Sequence, residues 1–420
     1  MMNSINTNNN ICVIGGGISG VFISHYLKEN GYKNITLLEQ SDRIGGKCNS
    51  IRYKGLTYEM GALMALPSYS NINELMDKFG VSKKCPLLTR GFYNAEGKKV
   101  QQLPKKQLYD FIKQFKKLST TLKQYEFLKA PGYKNLPKEL CMPFGQWCKN
   151  NDLTVVKKIY SHCFTTFGFG DIEEVATAYV LKLLNYENLM SFIEIPHIIT
   201  CPEGIQELIY RISDTIDDVR LTQTVESVTP LENDKVIVKT NQEEYIFDKV
   251  ICTISLKKFG ELVSNYNEEK ELFNKIIYEK FRVYAYKVNG IPKVCGYIPD
   301  NLKKDRNGHI TIWYYRWLDT CNADIVTVYS YAKDGIDDRE AKKIVEDDLR
   351  KLGGKNISLY MMSSWDHFPH VDAKTLSEGF YDKLEALQGK NNIYYSGEIM
   401  NFSNIESCVI YAKDLVDRFF

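Results

Sequence analysis

Gly15, Gly17 and Gly20 stand in the G-x-G-x-x-G spacing, after the apolar run Ile11-Cys12-Val13-Ile14 and before the apolar-periodic stretch Val21 to Leu27. Strand, glycine turn and helix in that order are the chemistry of a dinucleotide site. The first glycine permits the tight turn, the second lets the backbone approach a pyrophosphate, and the third lets the helix pack close on the strand. Free N–H groups and the helix dipole then face the phosphates. Nineteen residues past Gly20, Glu39 follows the apolar strand Ile35-Thr36-Leu37-Leu38. Its carboxylate can accept hydrogen bonds from ribose hydroxyls and disfavours a phosphorylated ribose.

Two further segments bear on which dinucleotide is held. Arg43-Ile44-Gly45-Gly46-Lys47 places a second glycine pair just after the acid. It resembles the extended signature of FAD enzymes of the amine oxidase and desaturase superfamily, which NAD dehydrogenases usually lack. Asn392-Ile393-Tyr394-Tyr395-Ser396-Gly397-Glu398 reads as strand, glycine and acid, ahead of a closing helix from Ile405 to Phe420. In that superfamily such a turn holds the ribityl and pyrophosphate part of FAD. Both ends of the chain are therefore expected to build one site for non-covalent FAD.

Composition narrows the remaining classes. The 420 residues can bury a large core and by length suggest two or three domains. Formal net charge is +2 and no block of five like charges occurs, so no nucleic-acid partner is expected. Met1 to Asn10 is polar, Asn-rich and expected to be disordered, and no apolar run approaches bilayer-spanning length. A soluble, cytoplasmic protein follows, with at most transient membrane contact. The eleven cysteines, scattered from Cys12 to Cys408 without C-x-x-C spacing, read as reduced core thiols. His367 and His370 form the one close histidine pair, and Pro369 between them breaks any helix that would present both to one metal, so no metal site is expected. Neither a G-x-S-x-G elbow nor a Ser, His and Asp combination offers hydrolytic machinery.

These residues need elements to position them. Residues 8–88 alternate strand and helix, with Ile72 to Phe79 amphipathic, and Gly91 to Val100 reads as a hairpin around Asn94-Ala95-Glu96-Gly97. From Gln107 to Met190 helical spacing dominates, as in Leu108, Phe111, Ile112, Phe115 and Leu118, broken by Pro131-Gly132 and Pro137. Helix returns near Glu203 to Leu208, and Val219 to Lys239 and Lys249 to Thr253 have strand character. Val283 to Val288, Ile310 to Tyr315 and Ile325 to Tyr331 suggest a sheet flanked by a helix over Asp338 to Leu352. The expected fold is α/β: an FAD-binding, Rossmann-like domain of the amine oxidase type, with a helical insertion and a mixed β-sheet substrate domain. The expected division assigns 8–88, 195–255 and 386–420 to a discontinuous FAD domain. It assigns 105–194 to the helical subdomain, and 89–104 with 256–385 to the sheet.

Nearly end to end, the chain resembles the flavin-dependent polyunsaturated fatty acid double-bond isomerases. The matching segments include Gly45-Gly46-Lys47-Cys48, Tyr58-Glu59-Met60-Gly61-Ala62, Pro67-Ser68-Tyr69, Met142-Pro143-Phe144, Ala178-Tyr179-Val180-Leu181-Lys182, Met190-Ser191-Phe192, Gly296-Tyr297-Ile298-Pro299-Asp300-Asn301, Phe368-Pro369-His370-Val371, Gly397-Glu398-Ile399-Met400 and Lys413-Asp414-Leu415-Val416. Amine oxidases usually carry small, glycine-containing steps where this chain reads Ile405-Glu406-Ser407-Cys408-Val409-Ile410-Tyr411, a departure that fits the isomerases. The resemblance implies that an Arg and a Phe at the pocket mouth receive a fatty acid carboxylate. They fall on Arg90, within Leu88-Thr89-Arg90-Gly91-Phe92, and on Phe192; Thr89 stands where that family has a second basic residue. It further implies cofactor contacts at Gly15, Gly17, Ile18, Ser19, Gly20, Glu39, Gln40, Gly46, Lys47, Met60, Gly61, Ala62, Val225, Gly397, Glu398 and Ile405.

The activity so implied needs no side-chain acid or base. A hydride leaving the carbon between two double bonds for flavin N5 leaves a cation spread over five carbons, and its return to one end gives a conjugated diene without net redox change. The protein's part is to position flavin and a linoleic acid-like substrate and to exclude water. Aromatic residues, 12% of the chain, offer cation–π stabilisation. Two alternatives share the composition: an FAD-dependent oxidase or desaturase of a lipid or amine, and a non-catalytic lipid-binding flavoprotein.

Overall fold

The structure is a computed structural model that describes residues 7–83, 89–193, 198–264, 266–318, 320, 323–332 and 335–420. The glycine turn sits on a sheet of five parallel strands in the spatial order Ile393–Tyr395, Lys249–Cys252, Asn10–Ile14, Asn34–Leu38, Asp218–Arg220. Ile11 to Ile14 is buried throughout, because a parallel strand covered on both faces reads as a continuous apolar run rather than an alternating one. The helix that leaves the turn, Ile18–Glu29, packs against the closing helix Ile405–Phe419. Most of the stretch expected to be disordered falls on residues 1–6, outside the described residues, while Asn10 opens the first strand.

The strand character of Val219 to Lys239 resolves into Asp218–Arg220, Val225–Pro230 and Val236–Thr240, with Thr222 and Asp234 at positive φ where the chain breaks. The last two strands join Glu244–Phe247 in a small antiparallel sheet.

A second large sheet has seven strands in the order Lys355–His370, Ile277–Asn289, Ile325–Ala332, Ile310–Tyr314, Cys295–Tyr297, Arg90–Tyr93, Lys99–Val100. Its neighbours are antiparallel except Cys295–Tyr297 with Arg90–Tyr93. Period-two alternation gives it two buried faces. Phe281, Val283, Ala285, Ile312, Tyr314 and Tyr329 share a cluster with Tyr58, Met60 and Leu63. Tyr284, Tyr286, Trp313, Val326 and Val328 instead cluster with Val345 and Leu349 of the helix Asp338–Lys351. The edge strand Lys355–His370 is exposed or half-buried up to its last three residues, which are buried, and its long pairing with Ile277–Asn289 defines it. Pro369 accordingly breaks no helix, since it lies in a strand at the sheet edge, where a missing N–H is tolerated.

Helices fill residues 105–193, including Lys105–Leu122, Thr154–Cys163 and Tyr186–Ile193. The apolar spacing on the first of these suggests one inward face, yet only part of it is inward. Leu118 is buried and Phe111 and Phe115 pack on the core, while Leu108 and Ile112 remain 51% and 49% exposed.

Candidate functional site

Gly17 caps the Ile18–Glu29 helix in an extended conformation, φ −73° and ψ −179°. A Cβ built on Gly17 meets no atom within 4 Å, whereas one on Gly20 would lie 1.9 Å from the Gly15 carbonyl oxygen. Gly20 thus lets helix and turn touch, and Gly17 leaves open the space before the helix N-terminus. A pyrophosphate fits that space: the first-turn N–H groups of Ile18, Ser19 and Gly20 have no partner within the helix, and no acidic residue lies in the first turn. Ile18 is part-buried; Ser19 is buried, where it bonds the Cys408 thiol of the closing helix. At the end of the second strand the buried Glu39 carboxylate accepts from Gly16 N at 2.7 Å and Ser41 N at 2.8 Å. Gln40 beside it is exposed, and Val225 is buried two residues past Gln223, whose N–H donates to the Glu39 carbonyl at 2.8 Å.

The second glycine pair folds back onto the first. Gly45 N donates to Gly16 O at 2.8 Å, and a Cβ on Gly46 would reach Gly17 Cα at 3.1 Å. The Lys47 carbonyl accepts from Ala62 N at 2.9 Å, and Gly61 packs so closely on it that a Cβ there would come within 1.8 Å. Met60, fully buried, donates its N–H to Asn49 O at 2.7 Å. The Lys47 ammonium pairs with Glu398 Oε2 at 2.7 Å, joining the N-terminal signature to the C-terminal glycine–acid turn, where Gly397 takes φ 111°. Burial pushes the Glu398 carboxyl up, but Lys47 and His367 outweigh it and leave it below the ordinary glutamate range. Ile405 is buried at the start of the closing helix, which Asn404 caps through Ser407 N at 2.7 Å. The turn, the glycine pair, the Tyr58-to-Ala62 segment and the C-terminal turn are thus one constellation, with Gln40 and Val225 at the Glu39 end.

Arg90 and Phe192, 102 residues apart, also meet. The Arg90 guanidinium donates to the Phe192 carbonyl oxygen and lies 5.4 Å from the centre of the Tyr297 ring. Phe192 is buried, 6.0 Å from Phe167 between ring centres.

Three features of this region have surroundings that the sequence reading does not foresee. His162, buried at 8% exposure and with Nδ1 lacking a partner, lies tilted against Phe92 at 5.4 Å between ring centres; burial and then the Arg90 charge push its pKa down to about 4. His367 packs against Phe169 and Phe281, and burial, followed by the Lys47 charge, takes it to about 4 as well. Arg316, 1% exposed, donates to Glu59 Oε1 at 3.1 Å and to the Cys201 carbonyl, while Glu59 also accepts from Ile205 N at 2.9 Å and Ser50 Oγ at 2.6 Å. That buried pair fixes the backbone just before Met60 and Gly61. A single His or Arg in a sequence does not announce such partners, which lie far along the chain.

The nine described cysteines are all buried free thiols; Cys85 and Cys321 lie outside the described residues. Among the described residues no group of three or more His, Cys, Asp or Glu gathers as for a metal, and no helix is long and apolar enough to cross a membrane. A cavity of about 460 Å³ opens elsewhere, between Tyr69, Leu122, Lys182, Tyr186 and Glu406. Burial lowers the Lys182 ammonium there to about 7, and its protons go to the Ala130 and Gly132 carbonyls.

Comparison with known proteins places this geometry. The chain is similar to the crystal structure of a CLA-producing fatty acid isomerase from P. acnes, with a TM-score of 0.94 and 33% identity over 99% of this chain and 100% of that one. It is 30% identical over 71 residues, 17% of the chain and 14% of the relative, to a polyenoic fatty acid isomerase of Ptilota filicina. It is 25% identical over 298 residues, 59% of the chain, to a tryptophan 2-monooxygenase of Agrobacterium vitis, of whose length it covers 38%. The profile of the flavin containing amine oxidoreductases matches residues 18–414, the span that runs from the glycine turn to the closing helix. With that turn, its glycine pair and its C-terminal acid assembled around one space, the chain belongs to the flavin containing amine oxidoreductase family.

Proposed function

We propose that this protein is an FAD-dependent isomerase that moves a double bond of a polyunsaturated free fatty acid to give a conjugated diene. The observation that carries the reading is the full-length likeness to the CLA-producing fatty acid isomerase, 33% identical over 99% of the chain. When bound, the flavin supplies a hydride acceptor at N5. The chain's own residues do the rest. The Gly17 turn admits the pyrophosphate, Glu39 takes the ribose, and Lys47 with Glu398 holds the two signatures together. Arg90 receives the carboxylate beside Phe192, and the apolar face with Phe281, Tyr314 and Tyr329 lines the tail and keeps water from the reacting carbons. Tail burial dominates affinity, since a dozen methylenes at about 0.8 kcal/mol each contribute on the order of 10 kcal/mol, against roughly 1.5–3 kcal/mol for a charge-assisted hydrogen bond. Arg90 therefore sets register along the pocket. In this reading 8–88, 195–255 and 386–420 hold the cofactor, while 105–194 and the sheet of 89–104 and 256–385 enclose the substrate.

The test is anaerobic incubation of the flavoprotein with linoleic acid, which is expected to raise conjugated-diene absorbance in the ultraviolet without consuming an oxidant. Substrate deuterated between its double bonds is expected to return the label at a shifted carbon. Stoichiometric peroxide in air, with no diene, would make the protein an oxidase instead.

A further inference from the structure

The helix Lys105–Leu122 presents a face that no other described part of the chain covers. Tyr109 is 77% exposed, and Leu108 and Ile112 stand about half out. Leu108 and Ile112 are four residues apart and so form one ridge, continued at its ends by Lys105 and Lys116; the adjoining row is Lys106, Tyr109, Lys113 and Lys117. The apolar ridge is thereby flanked on its open side by ammonium groups on long, flexible stems, its other side being Phe111 and Phe115 against the core. Charge is concentrated here as nowhere in the overall composition: residues 98–117 hold seven lysines and one acid, Asp110, in a chain with 54 basic and 52 acidic residues. Of the seven, Lys117 is held by Asp152 at 2.9 Å. Val100, just before this helix, and Phe127, just after it, are also exposed.

We infer that this helix is an interfacial anchor that seats the protein on an anionic lipid surface. Apolar side chains entering the headgroup boundary with lysines around them is the arrangement by which a helix lies in the plane of a membrane. A protein partner would need a complementary acidic rim, whereas a bilayer of anionic lipids supplies negative charge over the whole footprint. The location serves the proposed reaction, on which this purpose, though not the anchoring itself, rests. On its covered side the helix meets Tyr186 through Phe115, at 5.4 Å between ring centres, and Tyr186 begins the short helix that carries Phe192 at the Arg90 mouth. The hairpin strand that bears Arg90 leads through Lys99–Val100 directly into the anchor. A fatty acid leaving the bilayer would find the mouth beside the contact.

Vesicle flotation of the flavoprotein tests this independently of turnover. Phosphatidylcholine vesicles containing phosphatidylglycerol are expected to bind at least about tenfold more protein than pure phosphatidylcholine, with the excess lost in high salt. L108E/I112E is expected to abolish binding, and K113E/K116E to remove the preference for anionic lipid; Y360E/M361E, at exposed apolar residues on the far edge strand, is expected to bind as wild type. Diene formation from monomeric linoleate is expected to be unchanged in all three. Failure of diene formation with vesicle binding intact would remove the proposed reaction and leave the anchor standing. Equal binding by wild type and L108E/I112E, or no binding to anionic vesicles, would overturn the anchor. So would a wild-type dimer that L108E/I112E dissociates, which would make the face a contact between two copies of the chain.

Discussion

Gly17→Val separates holding the cofactor from holding the fold. Gly17 sits at φ −73° and ψ −179°, a conformation any residue adopts, and its Cβ would point into open space. Valine is a poorer helix N-cap than glycine by up to about 1 kcal/mol. Replacing glycine removes freedom from the unfolded chain and returns about 0.4–1 kcal/mol. The cofactor-free protein is therefore expected to keep its stability within about 1 kcal/mol. The added methyls, however, stand where the pyrophosphate must approach the backbone. Losing two charge-assisted bonds from main-chain N–H groups, at roughly 1.5–3 kcal/mol each, weakens flavin binding by about two to four decades. Gly20→Ala is the contrast: its Cβ would be 1.9 Å from a carbonyl oxygen, so the helix must shift and the fold itself loses stability, by about 1–3 kcal/mol or more. The assay is flavin absorbance per protein in the purified variant, with urea unfolding of the flavin-stripped forms. Full flavin occupancy in Gly17→Val would refute the assignment of the pyrophosphate to this turn, and a large loss of apo stability would refute the separation of roles.

Arg90→Ala is expected to leave flavin content intact, to weaken free fatty acid binding by roughly tenfold to a hundredfold while sparing the methyl ester, and to raise the His162 pKa from about 4, readable by NMR titration. Unchanged affinity together with unchanged product would remove Arg90 from the carboxylate site. Arg316→Met strands Glu59 as a buried, unpaired acid, so urea unfolding is expected to show a loss of about 3–5 kcal/mol, with Glu59→Gln in the same background restoring part of it. Acid sensitivity follows from buried His162 and half-buried His367. Between about pH 6.5, where a histidine of the unfolded chain gains its proton, and about 4, where His162 and His367 gain theirs, the unfolded state holds up to two more protons. Stability therefore falls as pH is lowered through that window, by up to about 1.4 kcal/mol per pH unit for each histidine. Urea midpoints taken against pH check this, and His162→Gln is expected to flatten the slope.

A few consecutive residues are enough to specify part of this fold and its site. The turn at Gly15, Gly17 and Gly20 is a matter of backbone conformation and close approach within six residues, and Glu39 follows at the end of the next strand, so the dinucleotide signature is legible without a fold. The alternation in Val283 to Val288 is legible for the same reason, because successive side chains of a strand face opposite ways. The edge strand Lys355–His370 is not, since buried and exposed positions do not alternate regularly along it and only pairing with Ile277–Asn289 makes it a strand. Resemblance brought Arg90 with Phe192 and the two chain ends together, but which atoms meet, and the Arg316–Glu59 pair altogether, came only from the tertiary structure. Lys47 reaches Glu398 across 351 residues, Arg316 reaches Glu59 across 257, and Arg90 reaches the Phe192 carbonyl across 102. It also decided that His162 lies within the field of Arg90, and that Leu108 and Ile112, which share the helical spacing of Phe111 and Phe115, face outward. Periodicity gives a helix an apolar side but not the width of the surface it packs on; that width is set by the neighbours the chain topology brings, here the helix Thr154–Cys163 and Tyr186.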